Sequence, residues 1–190
     1  MCGRLNVISD PLCDWVSDQL GIKFHSETNN DLRPTQRLGT IALDGGALQQ
    51  VDASWGIKPD WAKRLLINAQ AETVRQKRTF AQAFAQHRAV VPCSGWYEWQ
   101  QAGGAKQKYL FQGRDGQPLL MAGILCPQID GSHALVTLTT KPIASCAPYH
   151  HRMPLLIEPQ ALDFWFHSQP SELDALLTAP EISLAITPCM

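Results

Sequence analysis

Residues 38–55 predict a β-hairpin. Two extended apolar stretches, 38–43 and 47–55, flank the short connection Asp44-Gly45-Gly46. Glycine-containing connections between stretches of this kind are typical of antiparallel strand pairs. Further short apolar stretches predict strands at 5–8, 89–93, 109–111, 118–125, 134–140 and 182–186. The middle of the chain is therefore mostly β.

Helical patterns are fewer and shorter. Asp10 is a suitable N-cap, Pro11 suits the first helical position, and an apolar stripe at helical spacing continues to about Gly21. Further helices are predicted at about 74–87, 158–166 and 170–178. The polar stretch 27–33 precedes Pro34 and predicts a loop, because the residue before proline avoids the helical region.

Length and composition indicate one domain over residues 1–190. With 190 residues and 45% hydrophobic content, the chain is large enough to bury a core. It contains no run of eighteen apolar residues and no signal-peptide pattern, so we expect a cytoplasmic protein without a membrane partner. Its six cysteines show no metal-ligand spacing, which predicts neither a zinc site nor a disulfide framework.

Charge is unevenly distributed along the chain. The net charge of −1 argues against a generally basic nucleic-acid binder. Residues 58–88, however, carry seven basic and two acidic residues, whereas residues 153–190 carry five acidic residues and no lysine or arginine. A polyanion would be attracted to one surface and repelled from another, although two ordinary solvated faces would give the same counts.

The N-terminal sequence Met1-Cys2-Gly3-Arg4 suggests a nucleophile. If Met1 is removed, Cys2 carries both an amine and a thiol. An α-amine with a pKa of about 8 is partly neutral in cells, whereas a lysine amine at about 10.4 is almost wholly protonated. The amine can form an imine with an aldehyde, and the thiol can close a five-membered thiazolidine on the same carbon. The alternative is a cysteine that stands at position 2 by chance.

Two other stretches carry groups suited to proton transfer. Glu98 stands among three aromatic residues in the sequence GWYEW at 95–99, and such surroundings disfavour its ionised form. The alternative is a glutamate on an edge strand that faces water. His150 and His151 are adjacent in a proline-bracketed loop and lack the spacing of a helical metal pair, so acid-base or phosphate chemistry is the better hypothesis.

Aromatic and cationic residues alternate between Trp55 and Trp61. Lys58 lies between the two indoles. Such a stretch can stack bases and hold phosphates, although tryptophan is more often simply part of a core.

Together, these motifs resemble one family, the SRAP family of SOS-response-associated peptidases, which are now regarded as abasic-site processing proteins. The motifs occur in the family's order and span residues 1 to about 157. They are Met1-Cys2-Gly3-Arg4, Trp55-Gly56 with Pro59 and Trp61, Asn68-Ala69 with Ala71-Glu72-Thr73, GWYEW at 95–99, and His150 with Arg152-Met153-Pro154.

The resemblance implies a fold and an activity. The fold is a single β-rich α+β domain, with mostly antiparallel strands and a few short helices. The activity is binding to single-stranded DNA and covalent attachment to abasic sites, by a monomer that needs no cofactor or metal and is nucleoid-associated when on DNA. Two alternatives remain: a thiol peptidase that uses Cys2, Glu98 and His150 on proteins, and a non-catalytic module that binds single-stranded DNA.

The resemblance also implies roles for individual residues. Four would be catalytic: Cys2 as nucleophile, Asn68 as the group that orients it, Glu98 as proton carrier for imine formation and Met1 release, and His150 as the group that helps open the sugar. Five would contact DNA: Arg4, Trp55, Gly56, Trp61 and Arg152.

Two residues depart from the family pattern. Asp31 stands where the family usually has asparagine, so a carboxylate that repels phosphate replaces an amide, with Arg33 available to compensate. Gln70 stands where arginine is common, which removes one phosphate contact.

Overall fold

Short β-strands dominate the fold. The structure is a computed structural model that describes residues 3–102 and 104–189. Within those residues we number twelve strands: β1 Leu5–Val7, β2 Asn29–Leu32, β3 Arg37–Asp44, β4 Ala47–Trp55, β5 Asn68–Gln70, β6 Arg88–Cys93, β7 Gly95–Ala102, β8 Ala105–Gly113, β9 Leu119–Pro127, β10 His133–Thr140, β11 Met153–Pro154 and β12 Leu184–Pro188.

The helices are short and lie at the periphery of the strands. In the same part of the chain, the α-helices are α1 Ser9–Leu20, α2 Ala81–Gln86 and α3 Leu162–His167. Three 3₁₀ segments are Ala71–Thr73, Pro159–Ala161 and Pro170–Leu177. Asp10 has extended backbone angles (φ −108°, ψ 122°), so the regular part of α1 begins at Pro11 and ends before Gly21, as the sequence predicts.

One sheet has five antiparallel strands in the order β12-β8-β7-β1-β2. The first strand of the chain is therefore an interior strand. Leu5 pairs with Leu32 on one side and with Trp96 on the other. Both Leu5 and Val7 are buried, because each side of β1 is covered by a neighbouring strand and its apolar side chains enter the core.

The second sheet curves into a partial barrel. Its order is β11-β10-β4-β3-β6-β9, and β9 pairs again with β10. The predicted hairpin forms β3 and β4, in continuous register from Arg37 and Ser54 to Asp44 and Ala47. Gly45 and Gly46 make the turn with φ values of 59° and 82°, a region that favours glycine. The short strand β5 runs parallel to β10.

Aromatic side chains fill the core. Trp96 stacks on Phe111 in the five-stranded sheet, with ring centroids 4.9 Å apart. Trp165 of α3 packs edge-on against Phe84 of α2 at 5.9 Å. The buried Arg88 joins these two helices, because its guanidinium donates hydrogen bonds to carbonyl oxygens at the ends of both.

Two predictions of local structure are wrong. The helix predicted at 74–87 is reduced to α2, because the sequence RQKRT at 75–79 contains no apolar side chain that could face the core. The loop predicted at 27–33 contains β2, an edge strand in which only Leu32 is buried. The segments predicted as helices at 158–166 and 170–178 are partly or wholly 3₁₀.

Candidate active site

Glu98 is a buried carboxyl group in the interior of a sheet. Its strand β7 lies between β1 and β8, where Glu98 pairs with Tyr109. The residue is only 3% exposed, and this burial raises the pKa of Glu98 to about 7. The alternative of an edge-strand glutamate facing water is wrong. A carboxyl group with such a pKa can both accept and donate a proton near neutral pH.

The start of the chain runs beside Glu98. Leu5 pairs with Trp96, and the backbone N–H of Tyr97 donates to the carbonyl oxygen of Arg4 at 3.0 Å. Arg4 thus contacts the residue that precedes Glu98 in β7. The predicted nucleophile Cys2 precedes Gly3 in the sequence and lies outside the described residues.

Asn68 is the first residue of β5 and pairs with Thr137 of β10. Thr137 donates from its hydroxyl to the side-chain oxygen of Asn68 at 2.5 Å. Because the oxygen accepts this bond, the amide nitrogen is directed away from Thr137. The half-buried side chain therefore has a defined orientation.

His150 lies in a loop that packs over the same part of the five-stranded sheet. Tyr149 contacts the rings of Tyr109 and Phe111 edge-on, at centroid distances of 4.7 and 5.3 Å. The backbone N–H of His150 donates to the carbonyl oxygen of Cys146 at 3.3 Å. Burial raises the pKa of the Cys146 thiol to about 11, and the Glu98 charge adds to this effect. Cys146 thus lies next to His150.

The imidazole of His150 contacts the backbone of Arg152. The N–H of Arg152 lies 3.0 Å from His150 Nδ1, and the carbonyl oxygen of Arg152 lies 3.1 Å from the same atom. Burial lowers the pKa of His150 and outweighs the hydrogen bond with the Arg152 backbone, which raises it; the charge of His151, whose ring is stacked 4.3 Å away, lowers it further. His150 therefore favours its neutral form, in which one ring nitrogen is protonated.

The predicted DNA contacts differ in exposure. Trp61 is 67% exposed, in a loop closed by reciprocal backbone hydrogen bonds between Ile57 and Leu66. Trp55 is fully buried, and its indole donates to the carbonyl oxygen of Ile67 at 3.2 Å. Trp61 alone of these two indoles offers a ring face for stacking.

Gly56 and Arg152 are closely surrounded. Gly56 has φ +112°, and a β-carbon there would lie 2.6 Å from the side chain of Leu65. The guanidinium of Arg152 is bound to both carboxylate oxygens of Glu72, at 2.8 and 2.7 Å. A phosphate that reached Arg152 would share it with Glu72.

Arg4, just before β1, belongs to a cluster of charged side chains with Asp31 and Arg33. Asp31 binds Arg4 and Arg33, each at 2.5 Å. Hydrogen bonds from Arg33 and then Arg4 lower the pKa of Asp31. Two guanidinium groups therefore share one carboxylate. Arg4 also lies over the ring of Trp99, 5.6 Å from its centroid.

The described residues hold no candidate metal centre. Among them, no three histidine, cysteine or acidic side chains are grouped to bind a metal ion. All five cysteines in residues 3–102 and 104–189 are free. Burial raises the pKa of Cys93 to about 12 and that of Cys126 to about 11. No helix in this part of the chain is long and apolar enough to span a membrane.

Two residues near the site were not assigned a role from the sequence. Glu72 was visible only as part of a family motif, and its partner Arg152 is 80 positions away. Thr137 stands in an apolar strand, and nothing in the sequence distinguishes it from other strand threonines.

Comparison with known proteins identifies the family. The architecture is that of a β-rich α+β protein with a partial barrel and a buried carboxyl group beside its first strand. The sequence model described as "SOS response associated peptidase (SRAP)" matches residues 1–189. The chain belongs to the SRAP family.

Relatives in several organisms support this assignment. The abasic site processing protein YedK of Escherichia coli is 32% identical over 125 residues, which cover 64% of this chain and 56% of that protein. The abasic site processing protein YoqW of Bacillus subtilis is 26% identical over 193 residues, covering 93% of this chain and 84% of YoqW. The alignment with YedK thus spans little more than half of that protein.

Solved structures share the fold. A phage-related protein of Bordetella bronchiseptica superposes with a TM-score of 0.82 at 25% identity, covering 99% of this chain and 94% of its own. A second protein of the same organism superposes with a TM-score of 0.83 at 20% identity, covering both chains fully.

Proposed function

We propose that this protein binds single-stranded DNA at abasic sites and links itself covalently to them through Cys2 once Met1 has been removed. The observation that carries the proposal is the buried Glu98, whose pKa is raised to about 7 and which lies beside the strand that begins the chain. Membership of a family whose relatives are named abasic site processing proteins supports the substrate.

The proposed chemistry uses both nucleophiles of Cys2. The ring-opened abasic sugar presents an aldehyde. The α-amine adds to its carbon and the resulting carbinolamine loses water, which gives an imine. The thiol then adds to the same carbon: a C–S bond forms, and the thiol proton passes to the nitrogen. The product is a thiazolidine, and one water molecule is released per link.

The neighbouring groups suit the proton transfers in this sequence. Glu98 takes a proton from the attacking amine and returns it to the departing hydroxyl, because a carboxyl group with a pKa near 7 does both readily. His150, held by the backbone of Arg152, protonates the sugar oxygen during ring opening. Asn68, oriented by Thr137, hydrogen-bonds Cys2.

The proposed DNA contacts combine cations with one exposed ring. Arg4 supplies charge at the start of the chain, and Trp61 supplies a face for base stacking. The buried Trp55 and the tightly enclosed Gly56 support the loop that carries Trp61. Arg152 adds positive charge near His150. Binding through such phosphate contacts weakens as salt concentration rises.

Removal of Met1 is the step that activates the proposed nucleophile. Water is consumed as the Met1–Cys2 peptide bond is hydrolysed, and in this proposal Glu98 relays a proton from the water to the departing amine. The family is described as a peptidase, which favours this self-processing as a second activity of the same site. Intact-mass measurement of wild-type and Glu98→Gln protein tests it, and we expect the variant to retain Met1.

The central experiment mixes processed protein with a single-stranded oligonucleotide that carries one abasic site. We expect a heat-stable adduct of one protein per oligonucleotide, which Cys2→Ala abolishes. Cys189→Ala removes a partly exposed thiol elsewhere and is the matched control. An undiminished adduct from Cys2→Ala would exclude Cys2 as the nucleophile. Equal affinity for intact and abasic strands, without an adduct, would instead support a binding module.

A further inference from the structure

Glu72 and Arg152 form an ion pair at the edge of the candidate active site. Two nitrogens of the guanidinium bind the two carboxylate oxygens, at 2.8 and 2.7 Å. The Arg152 side chain is only 11% exposed, whereas that of Glu72 is 34% exposed. Burial alone would raise the pKa of Glu72, but hydrogen bonds from Arg152 and backbone amides outweigh it and lower the pKa. The pair is thus charged and bidentate, a geometry that fixes the arginine in one orientation.

The strand pairing explains why these two residues meet. Glu72 lies in the 3₁₀ segment that directly follows β5, and Arg152 directly precedes β11. Both strands pair with β10: Gln70 pairs with Thr139, and Pro154 pairs with the same threonine. Arg152 also donates to the carbonyl oxygen of Thr139 at 2.5 Å. The guanidinium therefore joins the segment after β5 to the loop that carries His150.

The backbone of Arg152 accommodates both protonation states of His150. The neutral ring with its proton on Nε2 accepts a hydrogen bond at Nδ1 from the Arg152 N–H, 3.0 Å away. The protonated ring can instead donate from Nδ1 to the Arg152 carbonyl oxygen, 3.1 Å away. A group that must gain and lose a proton thus keeps a partner in either state. This arrangement holds only while the backbone of Arg152 stays where its side chain anchors it.

We propose that Glu72 is a positioning residue for His150, acting through Arg152. By clamping the guanidinium, the carboxylate fixes the backbone amide and carbonyl that hold Nδ1 of His150. The consequence for crosslinking rests on the proposed function. The consequence for the position of the His150 ring does not, because its Nδ1 contacts the Arg152 backbone whatever the site does.

A second arginine–carboxylate pair supplies a matched control. Arg75, one of the seven basic residues in 58–88, binds Asp174 and donates to the carbonyl oxygen of Pro170 at 2.9 Å. It links two peripheral segments and contacts none of the predicted catalytic residues. Asp174→Asn therefore removes a comparable carboxylate without disturbing the loop of His150.

The first measurement is ¹⁵N NMR of the His150 ring in the neutral form. The wild type should show one dominant tautomer, because the Arg152 backbone holds Nδ1 in a fixed position. Glu72→Gln should move both nitrogen signals toward the average of the two tautomers, and Asp174→Asn should leave them unchanged. A single unchanged tautomer in Glu72→Gln would overturn the proposal. If Glu72→Gln fails to fold, Glu72→Asp replaces it, because aspartate keeps the charge but has a shorter side chain. We expect a smaller shift of the two nitrogen signals in this variant. No shift would overturn the proposal.

The second measurement is the rate of adduct formation with abasic DNA as a function of pH. We expect Glu72→Gln to slow the reaction by about tenfold to a hundredfold, because small displacements of a reacting group are costly. It should also shift the pH at which the rate reaches half its maximum, and Glu72→Asp should restore part of the rate. An unaltered rate and profile would overturn the proposal. If the wild type forms no adduct, the proposed function fails, and the NMR result still decides the role of Glu72.

Discussion

Thr137 and Asn68 are joined across β10 and β5 by a hydrogen bond of 2.5 Å from the threonine hydroxyl to the amide oxygen. The two residues are direct partners in the parallel pairing of these strands. Thr137 is 1% exposed, and its hydroxyl lies closer to the Asn68 oxygen than to the Ile67 carbonyl oxygen, which is 3.1 Å away. The bond distinguishes the two ends of the amide and leaves its nitrogen as the end that faces away from β10.

Thr137→Val should therefore slow adduct formation with abasic DNA. Valine has the same shape but no hydroxyl, so the Asn68 amide loses its fixed orientation. The loss of one hydrogen bond of about 1 kcal/mol corresponds to about a fivefold lower rate. Thr137→Ser, which keeps the hydroxyl, should retain most activity. Thr40→Val is the control, because Thr40 is equally buried and donates to the Val51 carbonyl oxygen at 2.6 Å in the barrel. Equal rates for the two valine variants would contradict the role of Thr137.

Glu98 should make the stability of the protein depend on pH. Its pKa is about 7 in the folded protein, against an ordinary value of 4.5, because burial disfavours the charged form. Between these values the folded state holds a proton that the unfolded state has lost. The stabilising contribution is therefore complete below pH 4.5 and is lost as the pH rises through 7, by roughly 3 kcal/mol in total.

Urea unfolding of the wild type and Glu98→Gln measures this effect. The free energy of unfolding of the wild type, relative to the variant, should fall between about pH 4 and about pH 8. Glu181→Gln, at an exposed position, controls for the loss of one carboxylate. A difference between wild type and Glu98→Gln that is constant with pH would show that Glu98 titrates alike in the folded and unfolded states.

Trp61→Ala should weaken binding to undamaged single-stranded DNA. The indole is 67% exposed, and stacking of one base on an aromatic ring contributes about 1–3 kcal/mol. Trp61→Phe should keep part of the affinity. Fluorescence anisotropy with a labelled oligonucleotide measures the change. Phe164→Ala removes another exposed aromatic ring, on α3, and should have no effect. Equal affinities of the wild type and Trp61→Ala would show that the bound DNA does not stack on Trp61.

Arg88→Met should destabilise the fold by roughly 3 kcal/mol or more, because the variant leaves several buried carbonyl oxygens without a donor. Arg88 is 8% exposed and donates to the carbonyl oxygens of Trp165 and Ser168, both at 2.7 Å, among others. Chemical unfolding checks this value. Arg78→Met, at an exposed position, is the control and should change stability little. Equal losses in both variants would refute the structural role of Arg88.

Much of the fold could be predicted from the sequence because the strands of the barrel combine apolar runs with clear turns. Residues 38–55 are the best example: the predicted hairpin is confirmed, and its two strands pair in continuous register. Two other strands carry no such signal. β2 buries only Leu32 at the edge of its sheet, and β5 is three residues long and is held by its pairing with β10. Edge and very short strands depend on their neighbours rather than on their own hydropathy.

The sequence predicted a property of the candidate site only where a residue and its sequence neighbours were enough to indicate that property. Glu98 among aromatic residues predicted a perturbed carboxyl group, and its burial confirms this. The roles of Asn68, His150 and the DNA contacts remain predictions. Glu72 and Thr137 could not be assigned a role, because each acts through a partner about 70 to 80 positions away that only the folded chain brings near.

The interior position of β1 has a consequence for biosynthesis. Leu5 pairs with Trp96, so β1 finds one of its two neighbours only after about ninety more residues have been added. At about 5–20 residues per second, that delay is roughly 5 to 20 seconds. Until then β1 can pair only with β2, and any step that needs Glu98 beside the residues that precede β1 must wait for β7.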